Sequence, residues 1–440
     1  MLAAMSATAD SPGSPAAVVV PRTGGDACPG TLRLHRADDG ALARVRIPGG
    51  VLTAGRARIL LDAADRLGDG ELHLTSRGNI QLRGLRGDCG GELAELLRTA
   101  GLLPSDRHER ARNVVASPLA GLDAFGRAGI RPWLTELDAL LCASERAEAL
   151  SGRFLFALDD GRGDVDALGA DLTLIALDDE RALLRIGPGA TGALLPVPFA
   201  SAPRAALLAA ETFLDLAAGP DVWRISGLPG AARAALPAEA ARRAGLVPPP
   251  EPLAHRATSA PPEPGAVTGP HGRTALHVGV PMGRLTGARW RALVETAERL
   301  GSGELRCTPW RGVVVPGLAA GPARQALDAL AGAGLVTGPD SPWAGVGACV
   351  GRPGCAKSLA DVRAEAEAAL KPVHARLPVH WSGCERRCGH PHGEWVDVVA
   401  TPEGHRVTRV RGEVRDTPVT VPDDPAALAA AVATARGVRT

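Results

Sequence analysis

Apolar and polar residues alternate from Ala43 to Ile47, which predicts a short strand with one buried face. The period then changes. Ile59, Leu60, Ala63, Ala64 and Leu67 recur at helical spacing behind Thr53, a residue suited to cap the helix they predict. Gly68–Gly70 ends that helix. Leu72–Thr75 and Ile80–Leu85 read as two further strands, and Glu92–Thr99 as a second helix. The order is β-α-β-β-α, a sheet with its helices on one face.

The pattern then returns. "PGGVLTAGRARILLDAADRLGDGELHLTSRGNIQLRGL" (Pro48–Leu85) aligns without a gap to "PMGRLTGARWRALVETAERLGSGELRCTPWRGVVVPGL" (Pro281–Leu318), an offset of 233 residues. Leu52 meets Leu285, Thr53 meets Thr286, and Gly70, Glu71 and Leu72 meet Gly303, Glu304 and Leu305. The match runs on to Ala100–Leu102 against Ala333–Leu335. This is an internal duplication whose period is too long for a solenoid. Two similar halves related by a pseudo-twofold axis are expected. Leu246–Gly272 is too rich in proline to build a core and reads as the linker between them. The expected class is α+β: a disordered tail over 1–25, a half domain over 26–110, a larger α/β module over 111–245, the linker over 246–272, a second half domain over 273–340 and a second module over 341–440.

Composition narrows the function. The net charge of +1 argues against a general nucleic-acid or acidic-membrane binder. Tyrosine is absent, so a tyrosyl acid, base or radical is excluded. The most apolar stretch, around Ala193–Ala210, is broken by prolines and Arg204 and is a poor transmembrane span. The first residues are rich in Ala, Ser and Pro and lack the basic start and long apolar run of a signal peptide. A cytoplasmic setting is therefore expected, where metal or redox roles for cysteine are better readings than disulfides.

"GACVGRPGCAKS" (Gly347–Ser358) and "HWSGCERRCGHPHG" (His380–Gly393) together spell Cys349-x5-Cys355-x28-Cys384-x3-Cys388. Thiolates suit zinc or an iron–sulfur cluster. Zinc sites usually show the tighter C-x2-C knuckle. Here both pairs are looser, and Ala348, Gly354, Gly383 and Gly389 flank the four thiols. Small neighbours would let backbone approach a bulky cluster. Iron–sulfur, zinc and plain structural thiols all remain open on spacing alone. Cys28, Cys89, Cys142 and Cys307 are scattered and read as plain thiols. The first half has no equivalent of the four-cysteine set, so one half would carry the metal and the other would bind.

C-x5-C followed by C-x3-C behind a duplicated β-α-β-β-α unit resembles the sirohaem sulfite and nitrite reductase superfamily, over nearly the whole chain after the tail. That likeness implies two ferredoxin-like half domains and a 4Fe–4S cluster on Cys349, Cys355, Cys384 and Cys388. "LTSRGNIQLRG" (Leu74–Gly84), "ARNVVASP" (Ala111–Pro118) and "GRFLFALDDG" (Gly152–Gly161) resemble the family's anion-binding segments. They imply Arg77, Arg112 and Arg153 as substrate-binding residues, with Arg83 as a second base on the face of Arg77. The reductases place two lysines around a phenylalanine in the third segment. Here the matching positions are Arg153 and Leu155.

Within the superfamily, "CPGTLRLHRADDGALARVRIPGG" (Cys28–Gly50), "SPLAGLD" (Ser117–Asp123) and "SGCERRCGHP" (Ser382–Pro391) resemble the precorrin-3B synthase family. That family is a monooxygenase of aerobic cobalamin biosynthesis. The likeness implies hydroxylation of precorrin-3A at C20 with γ-lactone formation. It also implies oxygen, an anionic tetrapyrrole substrate, an electron donor (NADH, or a reductase or ferredoxin) and a mononuclear non-haem iron besides the cluster. A sirohaem-dependent reductase is the alternative. His390 and His392 are candidates for the mononuclear iron. Arg352 and Lys357 flank the first cysteine pair as charge partners, and Asp159, Asp160 and Asp164 read as a turn.

Overall fold

The computed structural model describes residues 28–127, 129–217, 221–255, 260–370, 377–391, 393–412 and 414–437. The expected tail lies outside these residues.

Both copies of the repeat form the expected elements. Thr53 Oγ1 accepts from Arg56 N at 3.2 Å and starts helix Ala54–Leu67. Thr286 does the same for helix Gly287–Arg299. Each such cap contributes about 1 kcal/mol. The sheets, however, are not assembled copy by copy. The first runs His35–Ala37, Gly40–Val45, Ile80–Leu85, Glu71–Leu74 and then Arg284–Thr286, a strand of the second copy. The second runs Gly265–Thr268, Arg273–Gly279, Gly312–Ala319, Glu304–Cys307 and then Val51–Thr53, a strand of the first. The exchange pairs Leu285 with Leu72 and Leu305 with Leu52, four fully buried leucines at the seam. Each contributes roughly 1.5–3 kcal/mol. Trp290 Nε1 also reaches across to the Ala57 carbonyl at 2.7 Å. The two half domains thus share one core. Where the halves meet, Gly50 sits at φ +72°, and a Cβ there would fall 1.9 Å from the Cys307 carbonyl. No other residue fits.

The stretch expected as a linker contains structure: Gly265–Thr268 is an edge strand on Arg273–Gly279. Its alternating burial spans four residues among prolines, too few to show a period in the sequence.

The larger modules repeat as well. In the first, Val114–Ala116, Phe156–Asp159 and Leu172–Ala176 are parallel neighbours, followed by antiparallel Arg181–Ile186 and Ala193–Pro198. In the second, Val346–Ala348, Val379–Ser382 and Glu394–Thr401 are parallel, followed by antiparallel Gly404–Arg411. Among the described residues no helix is long and apolar enough to cross a membrane.

Candidate functional site

Two parallel strands of the second module end side by side. Cys349 follows Ala348, and Gly383 follows Ser382 one strand away. Gly383 N donates to Cys349 Sγ at 3.3 Å, which joins the two cysteine-bearing loops. Burial pushes the Cys349 thiol up; nearby Cys388 and Cys384 add to this, against the backbone N–H groups of Gly383 and Gly351. Cys355 is placed by the other half of the molecule. Arg83, buried on the first sheet, grips Asp39 with two 2.8 Å bonds and donates to the Gly354 carbonyl at 3.0 Å. Asp38 accepts from Ala356 N.

No disulfide joins the cysteines. Among the described residues no three of the four sulfurs gather within 4.8 Å of one another. A tetrahedral zinc with bonds of about 2.3 Å would hold them roughly 3.8 Å apart. A cluster with a separate iron under each thiolate spaces its ligands more widely, and four soft thiolates are the donor set it takes. Two of the flanking glycines also have a packing task. A Cβ at Gly383 would meet Ser358 Oγ at 1.7 Å, and one at Gly354 would meet Val350 at 2.7 Å. They let the loops pack on the protein itself.

The arginines gather elsewhere. Arg44, Arg46, Arg77 and Arg153 line a cavity of ≈ 320 Å³ with Cys28, Thr75 and Asn79. Arg77 Nη1 donates to the Gly152 carbonyl at 3.1 Å. Burial, and then the charges of Arg46 and Arg224, pull the Arg77 pKa down to about 10. Arg46 is 2% exposed. Its Nη2 donates to Cys28 Sγ at 3.1 Å and to Gly152 O at 3.3 Å, while its Nε and Nη1 are buried without a partner. Arg153 lies 5.8 Å from the Trp223 ring. So many guanidiniums with so few carboxylates make a seat for an anion.

Arg112 is not part of it. It is buried, bonded to both Asp138 oxygens at 2.7 and 2.9 Å and to the Leu102 carbonyl at 3.0 Å, and it ties helix Arg131–Ala143 to the half domain. Arg83 does not share Arg77's role: Arg77 lies in the turn before strand Ile80–Leu85, and Arg83 holds the cysteine loop. Arg352 donates to Ser358 O within its own loop, and Lys357 is exposed. His390 stacks on Trp395 at 5.3 Å, with Nδ1 on the Pro391 carbonyl; His392 lies outside the described residues. Asp159 accepts from Gly161, Gly163 and Asp166 N, so the expected turn is present, although buried.

The sequence reading missed Arg44, Arg46 and Cys28. The signal was there: the alternation over Ala43–Ile47 puts both arginines on one face, and at the offset of 233 their counterparts are His277 and Gly279. Arg77 likewise meets Trp310, which packs on the apolar cluster around Leu155.

The nitrite/sulfite reductase ferredoxin-like half domain matches residues 34–100 and 268–333. A precorrin-3B synthase from Sinorhizobium sp is 27% identical over 408 residues, spanning 90% of this chain and 85% of that protein. A ferredoxin–nitrite reductase from Synechococcus elongatus is 27% identical over 400 residues, 80% of this chain and 74% of that one. The Mycobacterium tuberculosis NirA protein has the same fold, with a TM-score of 0.67 at 19% identity, covering 86% of this chain and 77% of NirA.

Proposed function

We propose that this chain, similar to the nitrite/sulfite reductase ferredoxin-like half domain over residues 34–100 and 268–333 and to a precorrin-3B synthase, is an oxygenase of the precorrin-3B synthase type, which hydroxylates precorrin-3A at C20 and closes the γ-lactone. The observation that carries this reading is the buried Arg46, whose Nε and Nη1 have no protein partner beside Arg77 and Arg153. Leaving such nitrogens unpaired is costly, about 1–3 kcal/mol each and more when charged. An acetate or propionate of a tetrapyrrole would remove that cost with charge-assisted bonds.

Cys349, Cys355, Cys384 and Cys388 would hold a 4Fe–4S cluster. When bound, the cluster would pass single electrons, and a separate iron with an open coordination position would bind oxygen. The chain's own residues do the positioning. Arg46 and Arg77, both anchored on the Gly152 carbonyl, fix the substrate carboxylates. Arg153, steadied over Trp223, closes one side. Asp38, Asp39 and Arg83 hold the cysteine loop against the sheet that carries the arginines.

A sirohaem-dependent reductase is the second reading, since sirohaem also carries carboxylates and reductases are among the relatives. Leu155 weighs against it. It is buried among Val115, Ala157, Val165 and Ala170, so no base stands there to receive sulfite or nitrite. The test is incubation of cluster-loaded protein with precorrin-3A, a reductant and ¹⁸O₂. The expected product gains one labelled oxygen atom, while the other is reduced to water by two electrons from the donor. Unlabelled substrate, together with nitrite or sulfite turnover, would favour the reductase.

A further inference from the structure

The two copies of one strand differ at two of three linked positions. At the offset of 233, Asp69, Glu71 and His73 stand where the second copy has Ser302, Glu304 and Arg306. In the second copy Arg306 Nε donates to Glu304 Oε1 at 2.8 Å, and its Nη1 reaches the carbonyls of Pro118 and Ala120 at 3.0 and 2.9 Å. Arg131 pairs with the same carboxylate. Glu304 thus carries two cations. In the first copy Glu71 pairs with Arg284 through both oxygens, Nη2 donating to Oε1 at 2.6 Å and Nε to Oε2. The second cation's place is taken by His73. Its Nε2 lies 3.8 Å from Asp69 Oδ2 and 3.9 Å from Glu71 Oε2, buried with no hydrogen-bond partner, and the residue is 6% exposed.

We propose that Asp69, Glu71 and His73 bind a divalent transition-metal ion, in the place that the Arg306 guanidinium fills in the second half. Among the described residues they are the group of metal-ligating side chains whose donor atoms all lie within 4.8 Å of one another. One imidazole and two carboxylates suit iron(II), cobalt(II) or manganese(II). Bonds of about 2.1 Å need each carboxylate oxygen, at 3.8 and 3.9 Å, to close on His73 Nε2 by less than about 1 Å, and Asp69 is exposed and able to turn.

The donor types suit the ion, since a neutral imidazole and ionised carboxylates are the forms that ligate. Arg284 occupies one lone pair on each Glu71 oxygen, and the second lone pair of Oε2 is left for the ion. Arg363 Nη2, 3.5 Å from His73 Nδ1, would turn away so that Nδ1 carries the proton; its Nε already donates to the Cys349 carbonyl at 3.2 Å. The three residues line a cavity of ≈ 430 Å³ in which Asp39, Asp69, Glu71, Asp361 and Glu367 outnumber four guanidiniums, so a cation is favoured over an anion.

Strand register fixes where this site lies. Arg44 pairs with Gln81, Gln81 with His73, and His73 with Arg284, one residue per strand across one sheet face. Neighbouring strands are about 4.8 Å apart, so His73 sits roughly 10 Å from Arg44 and its anion seat. The metal would stand between that seat and the cysteine loop. Its identity as the oxygen-binding iron rests on the oxygenase reading; the site itself does not.

The test is equilibrium dialysis of cluster-loaded protein against cobalt(II), with metal counted per chain. One cobalt per chain is expected beyond the cluster iron. Asp69→Asn and His73→Arg should each weaken it roughly a hundredfold or more, with cluster absorbance and melting temperature kept. His73→Arg is the sharper variant, because it restores the tethered cation of the other copy and should fold well. No stoichiometric cobalt, or cobalt held equally by His73→Arg, would overturn the site. Cobalt bound as expected, with iron(II)-loaded protein that leaves precorrin-3A unoxidised, would keep the site and overturn the oxygenase reading.

Discussion

The two larger modules place their loops at the same two strand ends and fill them differently. In the second module Cys349 and Gly383 start the loops after Val346–Ala348 and Val379–Ser382, and an N–H···S bond joins them. In the first, Ser117 and Asp160 start the loops after Val114–Ala116 and Phe156–Asp159. There Ser117 Oγ donates to Asp164 Oδ1 at 2.6 Å, and Arg162 bonds Asp160 and Asp123. One half holds thiols at the place where the other holds a buried acid–arginine network. The framework of parallel strands is the constant, and the chemistry lies in the loops beyond their ends. A loop pair without thiols must be tied by something else, and here ion pairs do that.

The sharpest way to break the comparison is to remove a thiol. Cys349→Ser should abolish the cluster, read as lost iron and lost visible absorbance. The first module has no thiol in its loops, so its fold should persist under limited proteolysis. Collapse of both modules would mean that the cluster, rather than the shared core of the half domains, holds the molecule together.

The acidic network should answer to pH where the cysteine loops do not. Burial, and then the charge of Asp159, push Asp164 from 3.8 up to about 7. Its Oδ2 has no partner. The sign follows from linkage. Between about pH 4 and pH 7 the unfolded chain has released this proton while the folded chain still holds it, so stability falls as pH rises through that window. A shift of this size corresponds to about 4 kcal/mol. Asp164→Asn should therefore flatten the decline in denaturation midpoint between pH 4 and pH 7. An unchanged slope would mean that Asp164 is ionised at neutral pH and held by Ser117 and Val165 N.

How far the sequence carried these arguments depends on the range of each signal. The repeat, the caps at Thr53 and Thr286 and the helical stripes are local, and the sequence reading placed them well. The strand exchange was invisible, because Val51–Thr53 and Arg284–Thr286 are too short to show a period and their partners are far away in the chain. Cys349, Cys355, Cys384 and Cys388 stood out by type. Arginines did not, in a chain with so many. Arg112 and Arg46 look alike in sequence, and only their partners, Asp138 for one and the Cys28 thiol and Gly152 carbonyl for the other, tell them apart.

Those two arginines sharpen the comparison between structure and binding. Arg112 has a bidentate carboxylate and a carbonyl, while Arg46 is as deeply buried with two nitrogens unpaired. Truncating Arg112 leaves Asp138 and the Leu102 carbonyl without their donor. Arg112→Ala should lower stability by about 1–3 kcal/mol and leave precorrin-3A affinity unchanged. Truncating Arg46 removes a buried charge that the protein alone does not satisfy. Arg46→Met, which keeps the aliphatic bulk, should melt no lower than the parent protein. It should lose one or two charge-assisted bonds to the substrate at roughly 1.5–3 kcal/mol, a rise in Kd of about ten- to a hundredfold. Arg46→Lys should recover only part of it, since an ammonium cannot form the two-pronged contact. Paired melting and binding curves for the three variants decide the matter. If Arg112→Ala weakens binding as much as Arg46→Met does, the anion site extends to the helix that carries Asp138.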